Sequence, residues 1–409
     1  MKQILAAVFA GTLPIVTLIA PMGPAVAVPA STGFRFLEKP GSYGVGLKVV
    51  EQYDDSRTFQ ASADNSGKSN VSIQARPLQT LVWYPATRGE AKPVKYWDYV
   101  SLEDTETSFG HPHPPDEAET RKLASIPQSA RSQAMWAIRD AKPAPGTFPV
   151  IIYAASYSSV SWENADLCEY LASHGYVVIA APGMGVRRES THDVTGTNAQ
   201  ARDISFLIDY AASLPDADLS RVAAVGFSWG GLANLFAAAK DSRIHALVAM
   251  DGSQRYYPGV VQDAGDVHPE KLRIPLLFFT SQISIEDQAA MVDQMKDPGP
   301  SVLNAWKAGD LFKVDMLAMV HPQFSSKGQR QDRFWTTGEF AAMQHADYDR
   351  RDGVIGYAWT ARYTREFLDA FLKQDSTARD FLKRTPAQNG VPSHMMGVQF
   401  RAGRDIQEH

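Results

Sequence analysis

Two regimes of apolar patterning succeed one another along this chain. Near the start, Val45, Leu47 and Val49 alternate with Gly46 and Lys48, the period of a half-buried strand. A second strand is predicted at Leu78–Tyr84 and is stopped by Pro85. Between them, Asp54 to Gln74 is polar and Ser-rich and reads as a long turn. From Val150 onward the apolar runs become short and continuous, as in strands buried on both faces. They are Val150–Tyr153, Tyr176–Ala180, Arg221–Val225, Ile244–Met250, Pro275–Thr280 and a last one at Phe312–Val320. Helical spacing occupies Glu163–Ser173, which Gly175 would close, then Thr197–Ala212, Gly231–Ala239 and the amphipathic Ile355–Leu372.

Strand and helix in this alternation predict an α/β architecture. A mainly parallel sheet would be covered by helices on both faces, with the two early strands as an antiparallel edge hairpin. Residues 86–147 carry no strong strand pattern and only one candidate helix, Ala130–Arg139. They read as an insertion, as do the stretches at about 282–310 and 325–354. With 409 residues, 44% of them hydrophobic, residues 28–409 can form a single domain around one large core.

The first 27 residues stand apart. Lys2 is their only charge, Ile4–Ala20 is apolar, and Ala25-Val26-Ala27 supplies small residues for cleavage. This predicts a secretory signal peptide over 1–27, removed after Ala27, and a secreted or periplasmic protein with no stable membrane insertion. Cys168 is the sole cysteine, so no intrachain disulfide can form, and its apolar helical setting predicts a packed thiol. The net charge of −5 and the lack of a dense Lys/Arg run argue against nucleic acid as a partner. No metal-type Cys/His spacing occurs, and no cofactor is expected.

The candidate chemistry lies where a strand turns sharply into a helix, at Gly226-Phe227-Ser228-Trp229-Gly230. A serine hydroxyl needs exposure and an adjacent base to act as a nucleophile, and a tight turn between small residues provides the exposure. Ser228 is therefore the candidate nucleophile, and the N-terminus of the following helix can stabilise negative charge. The candidate base is His321, directly after an apolar run; His345 is its rival, while His174 and His245 precede any acid. The candidate acid is Asp251, which leaves the Ile244–Met250 run with no spacer; Glu286 is the fallback, with Asp287 beside it. Trp229, Tyr153, Tyr157 and Trp162 are candidates to line an apolar acyl pocket, with ordinary core packing the equal alternative.

The segments Gly226–Gly231, Leu247–Asp251, Ile274–Phe279 and Val320–Phe324 together resemble the platelet-activating-factor acetylhydrolase family. That family is a branch of the α/β-hydrolases, related more loosely to dienelactone hydrolases. The resemblance covers roughly Pro149 to Phe324 and implies a calcium-independent serine esterase with Asp251 as the acid. By position it implies an oxyanion hole from the backbone N–H groups of Trp229 and Tyr157. The chain departs from the family there: it reads Ala154-Ala155-Ser156-Tyr157 where the family has a His-Gly pair.

These readings converge on a secreted hydrolase that cleaves small or lipid-like carboxylic esters through an acyl-enzyme, with short-chain acyl or phospholipid-like esters as candidates. Two alternatives remain open: the same triad acting on a peptide, polyester or plant-wall acyl substrate, and a non-catalytic binding protein on the same fold.

Overall fold

In a computed structural model, described over residues 34–60, 73–109, 126, 128–281, 301–330 and 348–404, the apolar runs pair into one sheet. Its strands are β1 (Gly44–Gln60), β2 (Ile73–Ala86), β3 (Ala137–Arg139), β4 (Phe148–Ala154) and β5 (Val177–Ala181). They continue with β6 (Ala217–Phe227), β7 (Ile244–Met250), β8 (Leu276–Ser281), β9 (Leu311–Met316) and β10 (Met396–Arg401). The spatial order is β10-β9-β8-β7-β6-β4-β5-β2-β1-β3. The stretch from β9 to β5 is parallel throughout. β2 joins it antiparallel to β5, β1 pairs antiparallel with β2, and β10 closes the other side antiparallel to β9.

The alternation of side chains across the sheet builds a core on each face. On one face Ile151, Tyr153, Val225 and Val248 pack with α1 (Ala165–Ser173) and with the long helix over Arg350–Leu372. On the other, Val150, Ile152, Ala224 and Leu247 pack with α2 (Val194–Ala211) and α3 (Trp229–Ala238). The long helix is α4, and α5 (Ser376–Lys383) follows it. Cys168 is fully buried in the first of these cores. This is the α/β-hydrolase fold.

Several elements differ from the sequence pattern, each for a physical reason. The polar stretch after Asp54 is not a turn from its start, because β1 runs on to Gln60 and β2 begins at Ile73. A register shift between Asp54 and Thr58 lets Arg57 turn inward, where it meets Asp54 at 2.6 Å and Asp203 at 2.7 Å. Arg76 is also buried and grips Asp203 through Nε at 2.6 Å. Polarity here marks a buried ion cluster rather than solvent. The hairpin forms the antiparallel N-terminal edge region as expected, and the pattern missed only the three-residue β3, which adds beyond it parallel to β1. The stretch 130–139 is divided between a one-turn helix, Gln128–Arg131, and β3. The last parallel strand ends at Met316, four residues short of the apolar run's end. β10 and α5 had no counterpart in the pattern. The signal-peptide segment, Glu286, Asp287, His345 and much of the two later insertions lie outside the described residues.

Two buried glutamates couple this packing to pH. Glu106 accepts the N–H and O–H of Ser161 at 2.6 and 2.7 Å. Glu169 accepts the Tyr99 hydroxyl at 2.7 Å and the Trp136 N–H at 2.6 Å. Burial, with smaller help from neighbouring carboxylates, raises both from 4.5 to about 7. Between those values the unfolded chain releases a proton that the folded chain keeps. Each group's contribution is therefore fully present below about 4.5 and is lost as pH rises to about 7, at most roughly 3 kcal/mol apiece. Glu169→Gln should flatten the fall in unfolding free energy between about pH 5 and 7, read from urea melts across that range. An unchanged slope would refute this account.

Candidate active site

The strand ends at the C-terminal edge of the parallel sheet bring the candidate residues together. β6 ends at Phe227 and α3 begins at Trp229, so Ser228 alone makes the turn, at φ +53° and ψ −118°. Side chains are crowded out on both sides of it. A Cβ on Gly230 would lie 2.0 Å from the Ala154 carbonyl oxygen, and one on Gly226 would lie 2.5 Å from the Gly230 carbonyl carbon. The Ser228 N–H donates to the Met250 carbonyl at 3.0 Å, and its own carbonyl accepts from Gly231 and Ser253.

Asp251 leaves β7 at φ +44° and is completely buried. Its Oδ2 lies 2.6 Å from His321 Nδ1, and His321 Nε2 lies 2.9 Å from Ser228 Oγ. The imidazole is carried by a one-turn 3₁₀ segment, His321–Phe324, and is partly open to solvent. The other carboxylate oxygen, Oδ1, accepts the Ser281 N–H at 3.0 Å and the Tyr256 hydroxyl at 2.8 Å. Burial pushes the Asp251 carboxyl up, but the hydrogen bond and charge of His321, with the bonds from Ser281, outweigh it and hold the group below its ordinary value. Burial and the Asp251 charge push the Tyr256 phenol up, so it stays a donor. An ionised Asp251 accepts the hydrogen bond from Nδ1–H, fixing the tautomer that leaves Nε2 to accept from the Ser228 hydroxyl. Arg255 approaches the same carboxylate at 4.0 Å.

Tyr157 follows β4 and stands beside Trp229, their rings meeting edge to face at 5.9 Å. Among the described residues, the backbone N–H of neither donates to any group. His192 is stacked between Tyr157, at 4.0 Å and 8°, and Tyr257, at 5.4 Å and 6°. Burial lowers the His192 pKa, favouring the neutral ring in this stack. Tyr153 and Trp162 are both buried in the core, Tyr153 bonded to Glu163 and Trp162 packed on Tyr96. His174 bonds the Tyr170 carbonyl, and His245 lies near the opposite end of β7 from Asp251. Among the described residues, no group of three His, Cys, Asp or Glu converges to hold a metal ion.

Tyr256, Ser281, His192 and Tyr257 were not marked by the sequence. Ser281, His192 and Tyr257 act through partners distant in the chain, and no local spacing announces them. Only Tyr256 had a signal, its place a few residues beyond Asp251.

The Ser228 torsions suit glycine better than a side chain, at a cost of roughly 1–3 kcal/mol for a non-glycine residue. Glycine in turn loses about 0.5–1 kcal/mol through its freer unfolded chain. Ser228→Gly should therefore be more stable than Ser228→Ala by about 1 kcal/mol, since neither retains the hydroxyl. Paired chemical denaturation measures this, and equal stability would show the turn to be unstrained.

Comparison with known proteins bears on this arrangement. Residues 139–388, more than half of the chain, match the X-Pro dipeptidyl-peptidase (S15 family). Proteins named as carboxymethylenebutenolidases are similar over a shorter span. The one from Salmonella typhimurium is 30% identical over 152 residues, covering 34% of this chain and 56% of its own. That from Escherichia coli K12 is 29% identical over 150 residues, covering 34% and 55%. The chain thus spans little more than half the length of these relatives. A solved ferulic acid esterase from Streptomyces cinnamoneus shares the fold with a TM-score of 0.63 at 19% identity, covering 90% of this chain and 99% of its own. On the extent of the family match, the chain belongs to the X-Pro dipeptidyl-peptidase (S15) family of α/β-hydrolase-fold proteins.

Proposed function

We propose that the chain is a serine hydrolase cleaving carboxylic esters of small molecules, with Ser228, His321 and Asp251 as its triad. The observation that carries this is the continuous relay from Asp251 through His321 to Ser228, at 2.6 and 2.9 Å. Ser228 Oγ attacks the ester carbonyl while His321 Nε2 takes its proton. The N–H groups of Trp229 and Tyr157 receive the oxyanion. His321 returns the proton to the departing alcohol, leaving an acyl-enzyme that water hydrolyses by the same steps. Asp251 holds the tautomer and balances the imidazolium. The carboxymethylenebutenolidase relatives and the ferulic acid esterase neighbour, both named for ester cleavage, favour an ester over an amide.

Family membership favours a second substrate, a peptide bond after proline, for the same triad. A panel of p-nitrophenyl acetate, p-nitrophenyl butyrate, methyl ferulate and Ala-Pro-p-nitroanilide separates the two. The ester reading expects turnover of at least one ester and little of the anilide; the reverse would replace it. Ser228→Ala should remove turnover and labelling by a fluorophosphonate, and Asp251→Asn should lower kcat by roughly 10⁴ through the wrong tautomer. Undiminished turnover in Ser228→Ala would end the proposal.

We also propose that the protein is exported. The support is the apolar Ile4–Ala20 stretch and the small residues Ala25-Val26-Ala27. Expression from the complete reading frame should yield a mature chain beginning at Val28. An intact Met1 on the exported product would contradict cleavage.

A further inference from the structure

The weak point of a hydrolase built on this chain is the oxyanion turn, which lacks the glycine of the family it resembles. The structure shows what takes its place. Ser156 and Ser159 bracket a tight turn, closed by the Ser159 N–H on the Ser156 carbonyl at 3.1 Å, with Ser158 at φ +49°. The side chain of Glu163 lies beneath it, buried. One carboxylate oxygen accepts the Ser156 backbone N–H at 2.8 Å, and the other accepts the Ser156 hydroxyl. The Tyr153 hydroxyl donates to the first at 3.2 Å. The Ser156 N–H is thereby taken up, and the next N–H along the chain, that of Tyr157, donates to nothing among the described residues.

The opposite side of the turn is clamped by the segment after β5. The Gly183 N–H donates to the Ser159 carbonyl at 2.8 Å, and a Cβ on Gly183 would lie 2.2 Å from the Ser156 carbonyl oxygen. The Tyr157 hydroxyl donates to the Ser190 carbonyl at 2.5 Å, and the Ser190 N–H donates to Ser158 Oγ at 2.8 Å. Gln200 of α2 holds the Ala155 carbonyl at 2.6 Å. Among these contacts Glu163 is the one acidic side chain, and it fixes the residue next to the unpartnered N–H. A charged acceptor bonded to a backbone N–H is the strongest of such restraints.

We propose that Glu163 is a positioning residue for the hydrolysis: by binding the N–H and O–H of Ser156, its carboxylate fixes the turn that presents the Tyr157 N–H to the oxyanion. This rests on the serine-hydrolase reading above. Glu163 touches no reacting atom and exchanges no proton with substrate. It acts through the orientation of one donor, and the loss of one oxyanion donor costs roughly 10²–10³ in rate.

The test uses the full chain with Glu163→Gln and, separately, Ser156→Ala, which removes one contact without altering a buried charge. Turnover of p-nitrophenyl acetate and affinity for an octyl trifluoromethyl ketone, whose hemiketal places an anion in the same hole, are measured together. Active-site titration and thermal melting report the folded fraction. The expected result is a fall in kcat of about 10–100-fold for Glu163→Gln, with KM changed less than about threefold and ketone affinity falling in parallel with kcat. Ser156→Ala should show the same split at about 3–10-fold, and it decides the matter should Glu163→Gln fail to fold. Unchanged kcat and ketone affinity in a folded variant, or losses that merely track the active fraction, would overturn the role of Glu163. A parent protein that neither turns over the ester nor binds the ketone would instead overturn the serine-hydrolase reading on which that role stands.

Discussion

The backbone at Ser228 cannot relax without dismantling the strand ends around it. Its torsions lie where side chains are disfavoured, and its N–H and C=O are tied to the end of β7 and to the segment after it, through Met250 and Ser253 respectively. Neighbouring backbone fills the space a Cβ would need at Gly226 and Gly230, so β4, β6 and α3 meet at their closest where the hydroxyl emerges. The same contacts align β7 with β6, and the residue that β7 delivers next is Asp251. Ser228 and Asp251, the proposed nucleophile and acid, are therefore placed by one piece of backbone geometry. The imidazole is the only member brought from farther along the chain. Strain of this kind persists where surrounding structure over-determines it, and here two parallel strands and a helix do so.

Buried charge holds the surrounding loops in register. Arg76 binds Asp203 and, at 3.2 Å, the Met184 carbonyl, fastening the segment after β5 to the hairpin and to α2. Arg330, just beyond the His321 turn, pairs with Asp166 of α1 at 2.8 Å and lies over the rings of Phe34 and Tyr96. Burying such pairs adds little net stability, because desolvation offsets most of the attraction. Breaking one partner leaves the other charge stranded and costs far more. The pairs thus discriminate between arrangements, penalising any loop position in which a partner is lost.

The parts of the fold that were legible in sequence are those where burial is two-sided. Val150–Tyr153 and Ala246–Met250 could be read as strands because both faces are covered and no polar residue interrupts them. Ser228 and Asp251 could be read because each stands directly at the end of such a run. Legibility fails where burial and strand cease to coincide. Ala318, Met319 and Val320 are buried, yet they belong to a turn held by Met316 and Met395, so the apolar run extends past the strand. Arg57 and Arg76 fail in the opposite sense, as polar residues inside the structure. Glu163 and His192 were illegible because their meaning lies entirely in partners that only the folded chain supplies.

The segment around Glu163 and Asn164 binds these observations into a single constraint. The Glu163 carboxylate holds the Ser156–Ser159 turn, while its backbone carbonyl accepts the Lys327 N–H at 3.0 Å. Asn164 donates to the Phe324 carbonyl and accepts from the Ser326 N–H, both at 3.0 Å, and its oxygen also receives the Tyr357 hydroxyl of α4. Those partners follow His321 directly. The loop that orients the imidazole and the turn that orients the Tyr157 N–H therefore share one buried anchor at the head of α1. In the proposed mechanism, general base and oxyanion donor approach a substrate carbonyl from different sides, and catalysis depends on their separation being fixed. A common anchor fixes it without either group touching the other.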